Sequence, residues 1–266
     1  MSVLKAVILG IIQGFTEFLP ISSSGHLVLV QRIFGAGEEM LSFDVILHLG
    51  SLVAVIIIFW KDIIGLIKKP FQNLMYMLIA ATIPAVIVGI LFKHQIEALF
   101  NGGIFLAFGF IITGFLLLYS DKIQNTIKRD KDMRLTDALV IGCVQAIAIV
   151  PGISRSGSTL TAGLHQKLSR ETAARFSFLL SIPTILGAAV MTALDIYKSP
   201  EGVTGFLSAG VTPMIFGFIA AMLSGYLSIR FMLDLIKKCK LSYFGYYVLV
   251  LAGFILADIF ITHMFF

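Results

Sequence analysis

A chain of 266 residues that is 58% hydrophobic and 13% charged, with a mean hydropathy of +0.97, lies outside the range of water-soluble domains and inside that of polytopic membrane proteins. It has room for about six to eight apolar segments of ~20 residues joined by short loops, with no separate soluble domain. The formal net charge of +5 is modest and reads as an orientation signal rather than as a nucleic-acid surface.

The first element, residues 3–34, begins with Lys5 and an apolar run of the kind found in secretory signals. Gln13 and Glu17 interrupt the run and no small-residue cleavage site follows cleanly, so the segment is expected to be retained. Near its centre Pro20-Ile21-Ser22-Ser23-Ser24-Gly25-His26 breaks the apolar pattern. Three uninterrupted spans follow at about 43–60, 75–92 and 104–120, then a charged linker at 121–135. Residues 136–166 form a second broken segment, interrupted by Pro151-Gly152-Ile153-Ser154-Arg155-Ser156-Gly157, and three more spans lie at about 176–194, 211–230 and 244–263. Cys143 and Cys239 have no metal-ligand spacing and are expected to be free thiols.

The two broken segments are related. At an offset of 132 residues, Gly10, Gln13, Ile21, Ser22, Ser24 and Gly25 recur as Gly142, Gln145, Ile153, Ser154, Ser156 and Gly157, one unit used twice. Each segment either crosses the bilayer as a broken helix or dips in and returns as a helix hairpin. Loop lysines and arginines decide between these, because they accumulate on the cytoplasmic side. With both segments re-entrant they divide fifteen to four, leaving Arg155 at a tip; with both crossing they divide ten to nine and give no orientation. The expected fold is therefore an all-α polytopic membrane protein of two inverted-topology repeats, 1–120 and 136–266. Each repeat is a re-entrant hairpin plus three transmembrane helices, and both termini lie outside.

Both hairpin tips should converge near the midplane, where exposed backbone survives only if buried in protein or lining a wet cavity. Arg155 at the second tip would cost roughly 2.5–3.5 kcal/mol unless paired or hydrated. With Ser154, Ser156 and Gly157 beside it, it suits a phosphate clamp, and it equally suits a structural ion pair with Glu17. Gln13 and Glu17, one helical turn apart, present an amide and a carboxylate to the same place, where the acid can bind a divalent cation or accept a proton. His26 is the strongest proton-transfer candidate, whereas His48, His94, His165 and His263 lack comparable company and read as structural. Ser22, Ser23 and Ser24 suit helix caps, and one of them suits a nucleophile activated by His26 or Glu17.

The stretch from Gln13-Gly14-Phe15-Thr16-Glu17-Phe18-Leu19-Pro20 to Ile21-Ser22-Ser23-Ser24-Gly25-His26, together with Pro151-Gly152-Ile153-Ser154-Arg155-Ser156-Gly157, resembles the bacterial undecaprenyl-pyrophosphate phosphatases, also called bacitracin-resistance proteins. The likeness extends along the whole chain in length, hydropathy and order of segments. It implies an inner-membrane hydrolase that converts undecaprenyl diphosphate to the monophosphate, recycling the carrier for cell-wall synthesis and conferring bacitracin resistance. Carried onto this chain, it implies Glu17 as the essential acid, His26 as the histidine, Ser23 as the candidate nucleophile and Arg155 with Ser154 as the phosphate-binding pair. It also implies a divalent cation, Mg2+ or Ca2+, at Glu17. The family admits Glu or Gln at the place of Gln13; here the uncharged choice leaves Glu17 as the sole acid. Gln13, Ser22, Ser24, Ser154, Ser156 and Gly157 are expected to contact substrate. The expected partners are undecaprenyl diphosphate and membrane lipid, with no nucleic acid; a homodimer is allowed. The rival reading is a transporter or flippase of the polyprenyl phosphate carrier, since inverted repeats and broken helices also build transporters.

Overall fold

The computed structural model describes residues 1–35, 41–100, 102–199, 202, 207 and 210–266. They form helices α1 (Val3–Phe18), α2 (Ser23–Ile33), α3 (Leu41–Ile58), α4 (Trp60–Lys68), α5 (Asn73–Leu91), α6 (Lys93–Phe100) and α7 (Gly103–Ser120). After the linker come α8 (Leu135–Ile147), α9 (Arg155–His165), α10 (Arg170–Lys198), α11 (Val211–Leu235) and α12 (Ser242–Ala257), the last extended by a π turn to Thr262. Five spans, α5, α7, α10, α11 and α12 with its π turn, are long and apolar enough to cross a membrane, and α3 with α4 makes a sixth if the bent pair counts as one. Every apolar span expected from the sequence is a helix. The sequence did not foresee α4, which turns away from α3 by 76°, or α6.

Both broken segments are helix–turn–helix units. Pro20 stops α1 because the residue before a proline avoids the helical region; Leu19 is accordingly extended, at ψ 146°. Ser22 then caps α2 with its Oγ, which accepts from Gly25 N at 3.4 Å, and Ser154 caps α9 in the same way, accepting from Gly157 N at 3.1 Å. The hydroxyls of Ser22 and Ser24 lie 3.3 Å apart, and those of Ser154 and Ser156 lie 3.2 Å apart. The two turns thus share the serine cap and the serine pair, although Ser22 stands at φ 68° and Ser154 at φ −71°.

Packing between the halves repeats as well. Helix α1 lies along α11, and its counterpart α8 lies along α5, the counterpart of α11; α7 pairs with α12 and α3 with α10. The close approaches depend on small residues. A Cβ on Gly10 would sit 2.3 Å from the Gly217 carbonyl oxygen, and one on the equivalent Gly142 would sit 2.5 Å from that of Ala81.

Polar contacts gather the loops into two groups. In one, Lys128 N donates to Lys167 O and Ser169 N to Lys128 O, both at 2.9 Å, so the linker meets the end of α9, while Lys128 Nζ reaches Asp137 at the start of α8 at 3.1 Å. Arg175 pairs with Asp62 and Asp130, and Asp121 accepts from Leu241 N, Ser242 N and Arg170. In the other group Lys5 Nζ donates to Phe34 O at 3.0 Å, the Arg32 guanidinium lies 4.6 Å from the Phe266 ring centre, and Lys93 pairs with Asp195. The charged linker, which the sequence marks only as a loop, is therefore bonded to both halves. Asp137 is 2% exposed; it caps α8 through Arg134 N at 2.9 Å and holds Lys128. Asp137→Ala should lower the thermal unfolding midpoint in detergent, because the Arg134 N–H and Lys128 both lose their acceptor, a loss on the scale of a helix cap, about 0.5–2 kcal/mol. An unchanged midpoint would mean that the linker is not anchored there.

Candidate active site

Glu17 lies in the last turn of α1, just before the Pro20 break, and is 6% exposed. Gln13, one turn earlier, donates Nε2 to Glu17 Oε2 at 2.9 Å. Ser23, the first residue of α2, donates its hydroxyl to the same oxygen at 2.5 Å. From the other hairpin Arg155, the first residue of α9, donates Nη2 to Glu17 Oε1 at 2.6 Å and Nη1 to the Ser177 carbonyl of α10 at 3.3 Å. The two tips touch directly: Ser156 Oγ donates to Leu19 O at 2.9 Å, and Gly157 faces Pro20 closely enough that a Cβ would lie 3.2 Å from the proline ring. One carboxylate thus receives an arginine, a serine and a glutamine while buried, which satisfies a charge that would otherwise be costly at this depth.

The polar backbone of the second tip is satisfied internally. Thr113 of α7 donates its hydroxyl to Gly152 O at 3.0 Å and accepts from Ser154 N at 2.9 Å, and Gly152 itself has φ +83°, where a side chain would be strained. At the first tip Ser22 has φ 68° without being glycine, an uncommon conformation that costs of order 1–3 kcal/mol and persists only where its surroundings enforce it. His26 is part of that enforcement. Its Nδ1 lies 2.7 Å from the Ser22 carbonyl, which can only accept, so Nδ1 carries a proton. Its Nε2 lies 2.9 Å from the Tyr247 hydroxyl of α12, whose ring stacks on the imidazole at 5.7 Å, and Phe110 meets the imidazole edge-on.

The sequence matches the family described as bacitracin resistance protein BacA over residues 6–254. The chain belongs to the BacA family. It is 47% identical over 256 residues to the undecaprenyl-diphosphatase of Carboxydothermus hydrogenoformans, covering 96% of this chain and 97% of that one. It is 46% identical over 265 residues, the full length of both chains, to undecaprenyl-diphosphatase 4 of Bacillus thuringiensis. To the undecaprenyl-diphosphatase of Halothermothrix orenii it is 44% identical over 262 residues, covering 95% and 99%.

In this BacA-family chain the structure brings Gln13, Glu17, Ser23 and Arg155 into one bonded cluster. Ser22, Ser24, Ser154, Ser156 and Gly157 stand beside it, but their polar atoms serve the caps and the contact between tips. The hydrogen bonds of His26 go to Ser22 and Tyr247 rather than to Glu17. His48, which in sequence lacks company comparable to that of His26, instead places Nε2 3.5 Å from Glu17 Oε2 and its Nδ1 2.8 Å from Asp44 O. Neither His48 nor Tyr247 carries a local signal, since the first lies on α3 and the second 221 residues from its partner His26. A cation at Glu17 would have to share the carboxylate with bonds already made there. Among the described residues no three His, Cys, Asp or Glu side chains cluster as a metal site. Gln13 Oε1, however, is buried beside Glu17 with no hydrogen-bond partner, a second hard oxygen donor. One carboxylate and one amide oxygen completed by phosphate oxygens suit Mg2+ or Ca2+.

Proposed function

We propose that this chain is an undecaprenyl-diphosphatase of the membrane, hydrolysing undecaprenyl diphosphate to undecaprenyl phosphate and inorganic phosphate and so sustaining cell-wall synthesis and bacitracin resistance. The observation that carries this reading is the Ser23 hydroxyl donated to a carboxylate which the Arg155 guanidinium holds from the opposite hairpin. A hydroxyl bonded to a base is an activated nucleophile, and a guanidinium fork can take two phosphate oxygens.

As Ser23 Oγ attacks the terminal phosphorus, its proton passes to Glu17 Oε2. The bond from that phosphorus to the bridging oxygen breaks, and the electron pair leaves with undecaprenyl phosphate. Arg155 shifts from Glu17 Oε1 to the phosphate oxygens and stabilises the charge that develops on them. Water then adds to the phosphoseryl phosphorus as the bond from that phosphorus to Ser23 Oγ breaks; Glu17 returns its proton to the departing Ser23 Oγ and accepts one from the water, inorganic phosphate leaves, and loss of the Glu17 proton to solvent or to the phosphate regenerates the site. His26, holding the Ser22 carbonyl on one side and Tyr247 on the other, keeps the strained turn that aims Ser23. Glu17 and Gln13 Oε1 are the residues that would hold Mg2+ or Ca2+, and such an ion would supply neutralisation of phosphate charge.

The re-entrant, inverted reading of the two halves draws support from the paired contacts at each hairpin base, Lys5 with Phe34 and Lys128 with both Asp137 and Lys167. It places the basic linker end in the cytoplasm and the opening of the site on the outer side.

Ser23→Ala is expected to lower phosphate release from a long-chain prenyl diphosphate by at least about 10²-fold, and acid quenching of wild-type enzyme with terminally labelled substrate should trap label on the protein. Retained activity in Ser23→Ala would make water the direct nucleophile. A chelator should abolish release, and added Mg2+ or Ca2+ should restore it; release that is indifferent to chelation would remove the cation.

A further inference from the structure

Among the described helices α4 is the most strongly two-faced, and it lies outside the cluster around Glu17. Trp60, Ile63 and Ile67 fall on one face at helical spacing. Ile63, Leu66 and Ile67 line an apolar groove of about 430 Å³ whose other walls are α5, through residues such as Leu78 and Val86, and α10, through Leu179, Ile182 and Pro183. On the neighbouring flank stand Lys61 and Lys68, followed by Lys69, all exposed. The acid of this helix, Asp62, is already engaged by Arg175. Among the described residues the side chains of Lys61, Lys68 and Lys69 make no hydrogen bond or ion pair, so three cations border an apolar slot with no anion supplied by the protein.

An amphipathic helix turned 76° from the apolar helix before it, with Trp60 exposed at its start and Phe71 exposed just beyond its end, has the form of a helix that rests in the interfacial zone. There the solvent of an apolar slot is hydrocarbon, and lysines at its rim face the headgroup layer. We infer that this groove is a binding site for an anionic phospholipid of the leaflet on the linker side. An acyl chain lies between α4, α5 and α10, and the phosphate is held by Lys61, Lys68 and Lys69. The charge balance selects an anionic headgroup, because a zwitterionic one would bring its own cation toward three lysines. The inference is independent of the hydrolytic reading.

Trp60 is the sole tryptophan of the chain and stands at the start of α4, on the face that carries Ile63 and Ile67 into the groove, so tryptophan fluorescence reports on this end of the molecule. In vesicles of phosphatidylcholine, dibrominated phosphatidylglycerol is expected to quench Trp60 at a mole fraction several-fold lower than dibrominated phosphatidylcholine, each lysine being worth about fivefold. The triple variant Lys61→Gln, Lys68→Gln, Lys69→Gln should equalise the two lipids. Lys122→Gln, Lys238→Gln, Lys240→Gln, which removes the same charge elsewhere in the loops of the linker side, should leave the preference intact. Equal quenching by both lipids in the unaltered chain would overturn the site. So would an equal loss of preference in both triple variants, which would reduce it to diffuse surface charge. Relief of quenching by one equivalent of unbrominated long-chain prenyl phosphate would assign the groove to the substrate's tail instead and overturn the phospholipid.

Discussion

Glu17→Gln is expected to lower the rate of phosphate release by roughly 10²–10⁴-fold, the range for losing a positioned general base, while leaving the protein folded. Arg155 Nη2 and the Ser23 hydroxyl approach different oxygens, Oε1 at 2.6 Å and Oε2 at 2.5 Å; the amide keeps one oxygen as acceptor for Arg155 and turns its NH2 toward Ser23 Oγ, where it can donate but cannot take the serine proton. Alanine at either position tests something else. Removing one partner of a buried ion pair strands the other charge and costs about 3–5 kcal/mol, so Arg155→Ala would confound folding with catalysis. Arg155→Lys retains the charge and loses the fork that spans Glu17 and the Ser177 carbonyl. Its activity should fall steeply and its unfolding midpoint only slightly. Measuring release and thermal unfolding on the same purified samples separates the two effects. Glu17→Gln protein that hydrolyses at the unaltered rate would remove Glu17 from the chemistry, and the carboxylate would then be a structural partner for Arg155.

The second large effect is expected at Gly14. A Cβ there would lie 2.0 Å from Ser224 Oγ, 2.4 Å from the Ala221 carbonyl oxygen and 2.5 Å from Gly225 N. Two of these three are backbone atoms, so no rotamer change relieves the overlap, and α1 must move off α11. Overpacking of this kind costs about 1–3 kcal/mol and sometimes more. Here it also displaces the helix that carries Gln13 and Glu17, so Gly14→Ala should lose both thermal stability and phosphate release. Gly187→Ala provides the contrast: it is also helical, a Cβ there meets nothing within 4 Å, and alanine favours helix by up to about 1 kcal/mol over glycine. Its unfolding midpoint should stay level or rise. Equal behaviour of the two variants would mean that the α1–α11 contact does not set stability.

The helices were legible because a membrane span is a long, uniform signal: Asn73–Leu91 and Gly103–Ser120 lie within two residues of where hydropathy alone puts them. The turns were legible through Pro20, Gly152 and the duplicated serines, whose capping roles are local. What remained hidden depends on partners distant in sequence. His48 has Asp44 and Ser51 a turn away along the chain, but neither points to Glu17, and only the packing of α3 beside α1 brings its imidazole there. Tyr247 sits in an apolar run with two other tyrosines nearby, and nothing local marks it as the one that meets His26. The same limit cuts the other way for the serines. Their types suggested phosphate contacts, yet the Oγ of Ser156 donates to the Leu19 carbonyl and that of Ser154 serves the α9 cap. Helix α4 was missed because its apolar face is only nine residues long and is bordered by lysines, which reads as loop in a hydropathy profile.

Each half lends its opening helix to the other, with α1 seated on α11 and α8 on α5. During synthesis α1 emerges first, yet the surface that accepts its glycines is made only when α11 has been threaded into the bilayer, almost a full chain length later. Arg155 arrives earlier, with α9, but until it does Glu17 has no counter-charge, and the carboxylate must wait in the membrane or at its edge. A ribosome stalled before α11 is therefore expected to leave a protease-sensitive, poorly inserted amino-terminal segment, whereas neither half expressed separately should reach a stable form.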